Sequence, residues 1–284
     1  MRAELYSESA IDMERYPIAE LDSPVRLALL NTIHNALDRE GCAVLDGFIR
    51  SDVQQHLTEQ SKEVAKYAYR SSETVNAYAI EDAESLPTDH QGRITQKTGH
   101  AFVARDKIPE SHIVHSLCLS GIFQCFIADC FRSKTLYPMA DPFAGLVINV
   151  LEPGLQHAWH FDLNTFTISL LTQAPESGGA FEYCPNIRTE NTEHFSEVRK
   201  VINGETRENV CQLDLKPGDL QLFKGRYSLH RVAPVAGKCA RHTAILSYCD
   251  QPGIVSTPEH ARLLFGRALP VHEKSTSSIS LKAD

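Results

Sequence analysis

The chain has 284 residues, with 28 Lys and Arg against 36 Asp and Glu, a net charge of −8, 42% hydrophobic and 23% charged residues. These are ordinary globular values, so a single domain spanning residues 1–284 is expected, and net acidity without a Lys/Arg-rich run excludes nucleic acid as an expected partner. No window approaches about 18 uninterrupted apolar residues and the first ten residues lack an apolar signal run, so no membrane partner is expected and a cytoplasmic location is.

Residues 1–22 show no period. Ser23-Pro24 opens a helix whose Val25, Leu29, Leu30, Ile33 and Leu37 recur at helical spacing up to Gly41. A short apolar strand at 42–49 follows, and Ser51-Asp52 is read as the cap of a second helix running to about Tyr69. Residues 71–107 are polar, contain Pro87, Gly92 and Gly99, and carry no clear period; a substrate loop or lid is expected there. A third helix is expected from Pro109 to about Arg132.

Beyond Pro142 the texture changes to short β-type runs broken by Gly and Pro: 145–152, 157–161, 165–172, 180–184, 212–215, 220–223, 230–232 and 240–248. Such a series predicts an antiparallel sandwich or barrel, buttressed on one face by the N-terminal helices. Helices are expected near 193–202 and 258–267, and the polar stretch Lys274 to Asp284 reads as a frayed tail. Residues 1–141 are thus helical support and lid, 142–250 the catalytic core, and 251–284 a C-terminal helix and tail. Eight cysteines sit mostly in apolar runs without a CxxC pair and read as reduced core residues.

The chemistry concentrates in His157-Ala-Trp-His-Phe-Asp162. His160 and Asp162, two positions apart on an extended segment, project to one side. An HxD alone is weak, but His230 follows at a barrel-like distance and Arg241 with Thr243 comes after it. Two imidazoles and one carboxylate make a set that holds Fe(II) and leaves positions open for a chelating cosubstrate and O2. A buried arginine with a hydroxyl two residues on suits the distal carboxylate of a dicarboxylic acid, which makes Arg241 and Thr243 the anchor for 2-oxoglutarate.

This constellation resembles the Fe(II)/2-oxoglutarate dioxygenases, whose core is a double-stranded β-helix, or jelly roll. Glu152-Pro-Gly154, Gly178-Gly-Ala-Phe-Glu-Tyr-Cys-Pro185 and Pro217-Gly-Asp-Leu-Gln-Leu-Phe223 support the resemblance over roughly residues 143–250. More narrowly, His157-Ala-Trp-His-Phe-Asp162 with Leu229-His-Arg-Val232 is similar to the branch of free-amino-acid hydroxylases and radical halogenases. The halogenases of that branch replace the carboxylate ligand with a small residue, and chloride fills the vacated position; Asp162 occupies it here. The resemblance therefore implies Fe(II), 2-oxoglutarate and O2 as cofactor and cosubstrates, and hydroxylation of a free amino acid or similar small polar metabolite with release of succinate and CO2. Desaturation, cyclisation, C–C cleavage, hydroxylation of a protein side chain and a non-catalytic jelly-roll binding protein stay open as alternatives.

Around the triad, His157 is a candidate substrate contact or a hydrogen-bonding partner of the first ligand. Arg231 is a candidate for a substrate carboxylate or for a surface acid. Asn149 is placed at the keto-acid end of the cosubstrate, and Thr172 or Ser169 along its pocket. Trp159 is read as core, His242 as pointing away from Arg241, and His100 and Arg105 as possible reach from the loop toward a small-molecule substrate. The oligomeric state is open, a homodimer being one option.

Overall fold

The structure, a computed structural model, describes residues 8–80, 83–88 and 90–274. The tail expected after Lys274 lies outside the described residues. Helix α1 (Pro24–Glu40) has Pro in its first turn and ends on Gly41, which adopts φ 65° and so closes the helix in the left-handed conformation. Its Leu30, Ile33 and Leu37 are buried at the expected spacing. Helix α2 (Gln54–Ala65) buries Leu57, Ser61 and Val64; it starts after Val53, with no side-chain cap, so the Ser51-Asp52 cap does not form.

The single helix expected over 109–132 is two: α3 (Ile113–Leu119) and α4 (Gly121–Cys130), bent by 69°. The break is local chemistry. Ser120 is extended and its hydroxyl accepts the Phe123 N–H at 3.2 Å, capping α4 where a continuous helix would have run. Downstream lie α5 (Phe195–Ile202), α6 (Pro258–Phe265) and α7 (Pro270–Glu273). Among the described residues no single helix is long and apolar enough to cross a membrane.

The strands are β1 (Cys42–Leu45), β2 (Tyr69–Asn76), β3 (Thr95–Ala104), β4 (Tyr137–Pro138), β5 (Leu146–Leu151), β6 (His157–His160), β7 (Thr167–Gln173), β8 (Ser177–Gly178), β9 (Phe181–Cys184), β10 (Cys211–Leu213), β11 (Leu220–Phe223), β12 (Leu229–Val232), β13 (Val235–Ala236), β14 (Arg241–Leu246) and β15 (Tyr248–Cys249). Seven of them form a sheet in the order β1-β11-β7-β14-β5-β3-β2, and four form a second in the order β10-β9-β12-β6. All pairings within these sheets are antiparallel. Large and small sheet together are the jelly roll, mainly β with a helical N-terminal part.

Much of the expected lid is instead sheet. β2 and β3 pair from Tyr69↔Phe102 to Asn76↔Thr95 and extend the large sheet through β3–β5, leaving only 77–94 as connection. The strand was hidden because β2 is an edge whose Arg70, Ser71, Ser72, Glu73 and Thr74 have no buried apolar row to alternate.

Helices α1 to α4 cover one face of the large sheet, where Ile33, Leu37, Phe123, Leu170, Leu222 and Ala244 share the main core. The alternating residues of the same strands, Thr167, Asn149, Arg241 and Thr243 among them, therefore face the small sheet. That inner space between the sheets holds the site.

Candidate metal centre

His160 ends β6 and His230 lies on β12, directly opposite each other in register, with a bulge just beyond. Their rings are 4.1 Å apart between centroids. Asp162, two residues past the strand, is drawn back by its N–H, which donates to the Gly225 carbonyl at 3.1 Å. Its Oδ1 then lies 3.6 Å from His160 Nε2 and 3.3 Å from His230 Nε2.

The donor set fits a divalent cation. His160 Nδ1 bonds the Ala158 carbonyl at 2.8 Å and His230 Nδ1 the Ser228 carbonyl at 2.9 Å. A carbonyl only accepts, so each Nδ1 carries the proton and each Nε2 presents a lone pair inward. Thr167 donates its hydroxyl to Asp162 Oδ2 at 2.7 Å, which leaves Oδ1 for the centre. One ligand atom from each of the three residues lies within 4.8 Å of the others. A facial set around an ion with bonds near 2.1 Å needs ligand atoms about 3 Å apart, close to what is seen.

Burial opposes ionisation of Asp162, but its two imidazole neighbours, His230 first, outweigh it and hold the carboxyl well below the usual carboxylate range. Burial, then the neighbouring His160, lowers His230. His157 stacks on the His160 ring at 4.3 Å, and burial followed by the charges of His160, His230 and His100 drives it well below the usual imidazole range. It is therefore a neutral hydrogen-bonding group at the flank of the first ligand.

Arg241, on β14, is 5% exposed, and its guanidinium donates to the Thr243 hydroxyl on the same face of the strand. Among the described residues no carboxylate pairs with it, and burial pushes it down to about 10. Asn149 stands opposite Thr243 in register, and its buried Oδ1 has no hydrogen-bond partner. Beside Arg241 opens a cavity of about 260 Å³, walled by Leu171, Gly179, Phe181 and Leu215. A buried, unpaired cation next to an unsatisfied amide oxygen is the polarity expected of a site awaiting an anionic ligand with a donor group.

Two expected site residues are not brought here, and both are corrected. Thr172 faces the helices: its hydroxyl meets Ser61 Oγ at 2.9 Å and donates to the His242 carbonyl at 3.2 Å. Arg231 adjoins His230 and so points to the other face of the small sheet, where its Nε donates to Glu182 at 2.7 Å and its guanidinium lies over the Trp159 ring. Neither expected partner is realised as stated: the acid that Arg231 meets, Glu182, is itself buried. His242 bonds Ser61 at 2.9 Å, away from Arg241, and Trp159 is core, as expected. Ser169 donates to Gln221, and Arg105 turns toward His115 and the Met139 carbonyl. His100 is buried on β3 against Phe102, bonded to Ser71 at 2.8 Å. Thr167 and Gly225 were not anticipated; the only signal for Thr167 is its position at the start of the strand that follows the HxD.

The family model described as HalD, Halogenase D, matches residues 25–260. No curated protein matches the chain. Among solved structures, the non-heme alpha ketoglutarate dependent epimerase SnoN from nogalamycin biosynthesis superposes with a TM-score of 0.53 at 13% identity, over 79% of this chain and 83% of that one. EctD from S. alaskensis, crystallised with 2-oxoglutarate and 5-hydroxyectoine, gives 0.50 at 17% identity, over 80% and 77%. A prolyl hydroxylase from Trichoplax adhaerens, in complex with a hypoxia inducible factor peptide fragment, gives 0.50 at 17%, over 81% and 94%. At these identities the likeness is one of fold.

Proposed function

The chain belongs to the halogenase D family, and from that premise we propose that it is an Fe(II)- and 2-oxoglutarate-dependent oxygenase that hydroxylates a free amino acid or a similar small polar metabolite. The observation that carries this reading is the Asp162 carboxylate, 3.3 Å and 3.6 Å from the inward nitrogens of His230 and His160. His160, Asp162 and His230 would hold the iron. Arg241 and Thr243 would take the distal carboxylate of 2-oxoglutarate, and Asn149, on the neighbouring strand, its keto-acid end.

When bound, iron with 2-oxoglutarate and O2 supplies the oxidation, the cosubstrate leaving as succinate and CO2. The chain's own contribution is positioning. The Nδ1 bonds of His160 and His230 fix both tautomers, Thr167 fixes the carboxylate, and Phe223 and Phe181 close on the His230 ring at 4.8 Å and 5.6 Å, keeping water from that side. Asp162 fills the position a halide would need, so oxygen insertion is favoured over halogenation. His157, neutral beside the first ligand, is a hydrogen-bonding group for substrate. Eight free cysteines suit a reducing cytoplasm.

Anaerobic addition of Fe(II) and 2-oxoglutarate is expected to give a weak visible charge-transfer band in the wild type and none in Asp162→Ala. A screen of free amino acids for stimulated succinate release, with product mass, reads the rest: a gain of one oxygen supports hydroxylation, a loss of two hydrogens replaces it with desaturation. No band and no stimulated succinate with any amino acid would refute the reading.

A further inference from the structure

We propose that Gly225 is a positioning residue of the iron centre, because the side chain it lacks is the space in which the Asp162 carboxylate stands. The inference rests on reading His160, Asp162 and His230 as metal ligands. A Cβ placed on residue 225 would lie 1.9 Å from Asp162 Oδ2, 2.5 Å from its Cγ and 2.9 Å from its Cβ. Carbon atoms in contact settle at about 3.5 to 4.0 Å, so all three approaches are forbidden. A clash with the oxygen alone would be relieved by turning the carboxylate about its last bond. Contacts with Cγ and Cβ are not, and the whole side chain would have to swing aside.

The backbone offers no relief. The Asp162 N–H donates to the Gly225 carbonyl at 3.1 Å, so the two residues are tied together. Thr167 holds the same oxygen, Oδ2, at 2.7 Å. The carboxylate is clamped between a bare α-carbon and a hydroxyl, and the clamp aims Oδ1 at the two imidazoles. Backbone conformation does not explain the glycine: Gly218, in the turn before β11, has φ 96°, whereas Gly225 is absent from the residues with positive φ and any amino acid could adopt its backbone. Room for Asp162 is what requires it.

The test uses the full-length, metal-free protein and Ni(II), for which two imidazoles alone retain measurable affinity. Affinity is measured by calorimetry for the wild type, Gly225→Ala, Asp162→Gly and the double variant. Gly225→Ala is expected to bind roughly tenfold to a hundredfold more weakly than wild type. In the Asp162→Gly background, where there is no carboxylate to displace, the same substitution is expected to change affinity less than about twofold. Equal binding by wild type and Gly225→Ala overturns the proposal, as does an equal loss in both backgrounds, which would mean general distortion of the loop. A wild type that binds no Ni(II) removes the metal-site reading itself and this inference with it. Should Gly225→Ala fail to fold, the double variant must fold, since the clash is with Asp162; a double variant that also fails overturns the proposal.

Discussion

Replacing Arg241 with Met is expected to stabilise the ligand-free protein while abolishing its response to 2-oxoglutarate. The guanidinium is 5% exposed, has only the Thr243 hydroxyl as partner, and is pushed down to about 10 by burial. A shift of that size corresponds to a burial penalty of about 3 kcal/mol. Met fills a similar volume without charge; it gives up the Thr243 hydrogen bond, worth about 1 kcal/mol, and removes the penalty. The net gain of about 2 kcal/mol translates to a melting temperature roughly 4 to 8 °C higher without ligand. A buried carboxylate–guanidinium pair loses about 2 to 5 kcal/mol when one partner is removed, so the thermal shift that 2-oxoglutarate gives the wild type should vanish in the variant. Differential scanning fluorimetry with and without 2-oxoglutarate, in the presence of Mn(II), reads both quantities. A variant that melts below wild type without ligand and keeps the full 2-oxoglutarate shift would refute the reasoning.

His242 gives a pH dependence of stability. Burial lowers it to about 4, against 6.5 for a free imidazole, so below 6.5 the unfolded chain takes a proton that the folded chain refuses. Its contribution is intact above 6.5 and is lost as pH falls toward 4, reaching about 3 kcal/mol; urea denaturation between pH 7 and 4 should show a flatter decline in His242→Gln, and parallel curves would exclude His242 as a cause. Thr167→Val removes the hydrogen bond on Asp162 Oδ2 at nearly constant volume and should weaken metal binding roughly tenfold, measured by Ni(II) titration; unchanged affinity would mean that Gly225 alone orients the carboxylate. Arg231→Ala removes one guanidinium from the buried Glu182 and leaves it Arg207, so stability should fall by about 1 to 3 kcal/mol while the KM of the amino acid found in the succinate screen should not move. A tenfold rise in the substrate KM would restore Arg231 to the site.

What was legible in the sequence was what strand parity controls. His160 and Asp162, or Arg241 and Thr243, share a direction because they are two apart, and His230 pairs with His160 because antiparallel neighbours meet in register. The same parity, applied to Arg231, one residue from His230, sets it on the outer face where the structure puts it, so its place among the candidate substrate contacts did not follow from the strand pattern. Thr172 shares parity with Ile168 and Leu170, which face the helices, and its hydroxyl turns to Ser61; alternation alone does not tell which of the two faces of β7 lines the site. The β2–β3 hairpin was illegible for another reason: an edge strand with polar residues on both faces lacks the period that identifies a strand. The Ser120 bend escaped because Ser120-Gly121 interrupts an otherwise continuous apolar helix, and only the hydroxyl's bond to Phe123 turns that dipeptide into a break.

Three local deficits in stability converge on the inner space between the sheets. Among the described residues Arg241 is a buried cation without a carboxylate, Asn149 Oδ1 is a buried acceptor without a donor, and His160, His230 and Asp162 hold two lone pairs and a carboxylate oxygen toward one point. Folded proteins satisfy nearly all buried polar groups, so such a concentration on the facing sides of two sheets is better explained by ligands than by three unrelated failures of packing. A divalent cation answers the third deficit and a dicarboxylate the first, while the amide oxygen needs a donor that substrate or water can bring. On the proposed reading, within a family named for halogenation, the choice of reaction falls to a single side chain and the room made for it. If His160, Asp162 and His230 hold the iron as proposed, a carboxylate that Thr167 and Gly225 keep against both imidazoles leaves no place for a halide, whereas a small residue at 162 would leave the Thr167 hydroxyl facing an open coordination position.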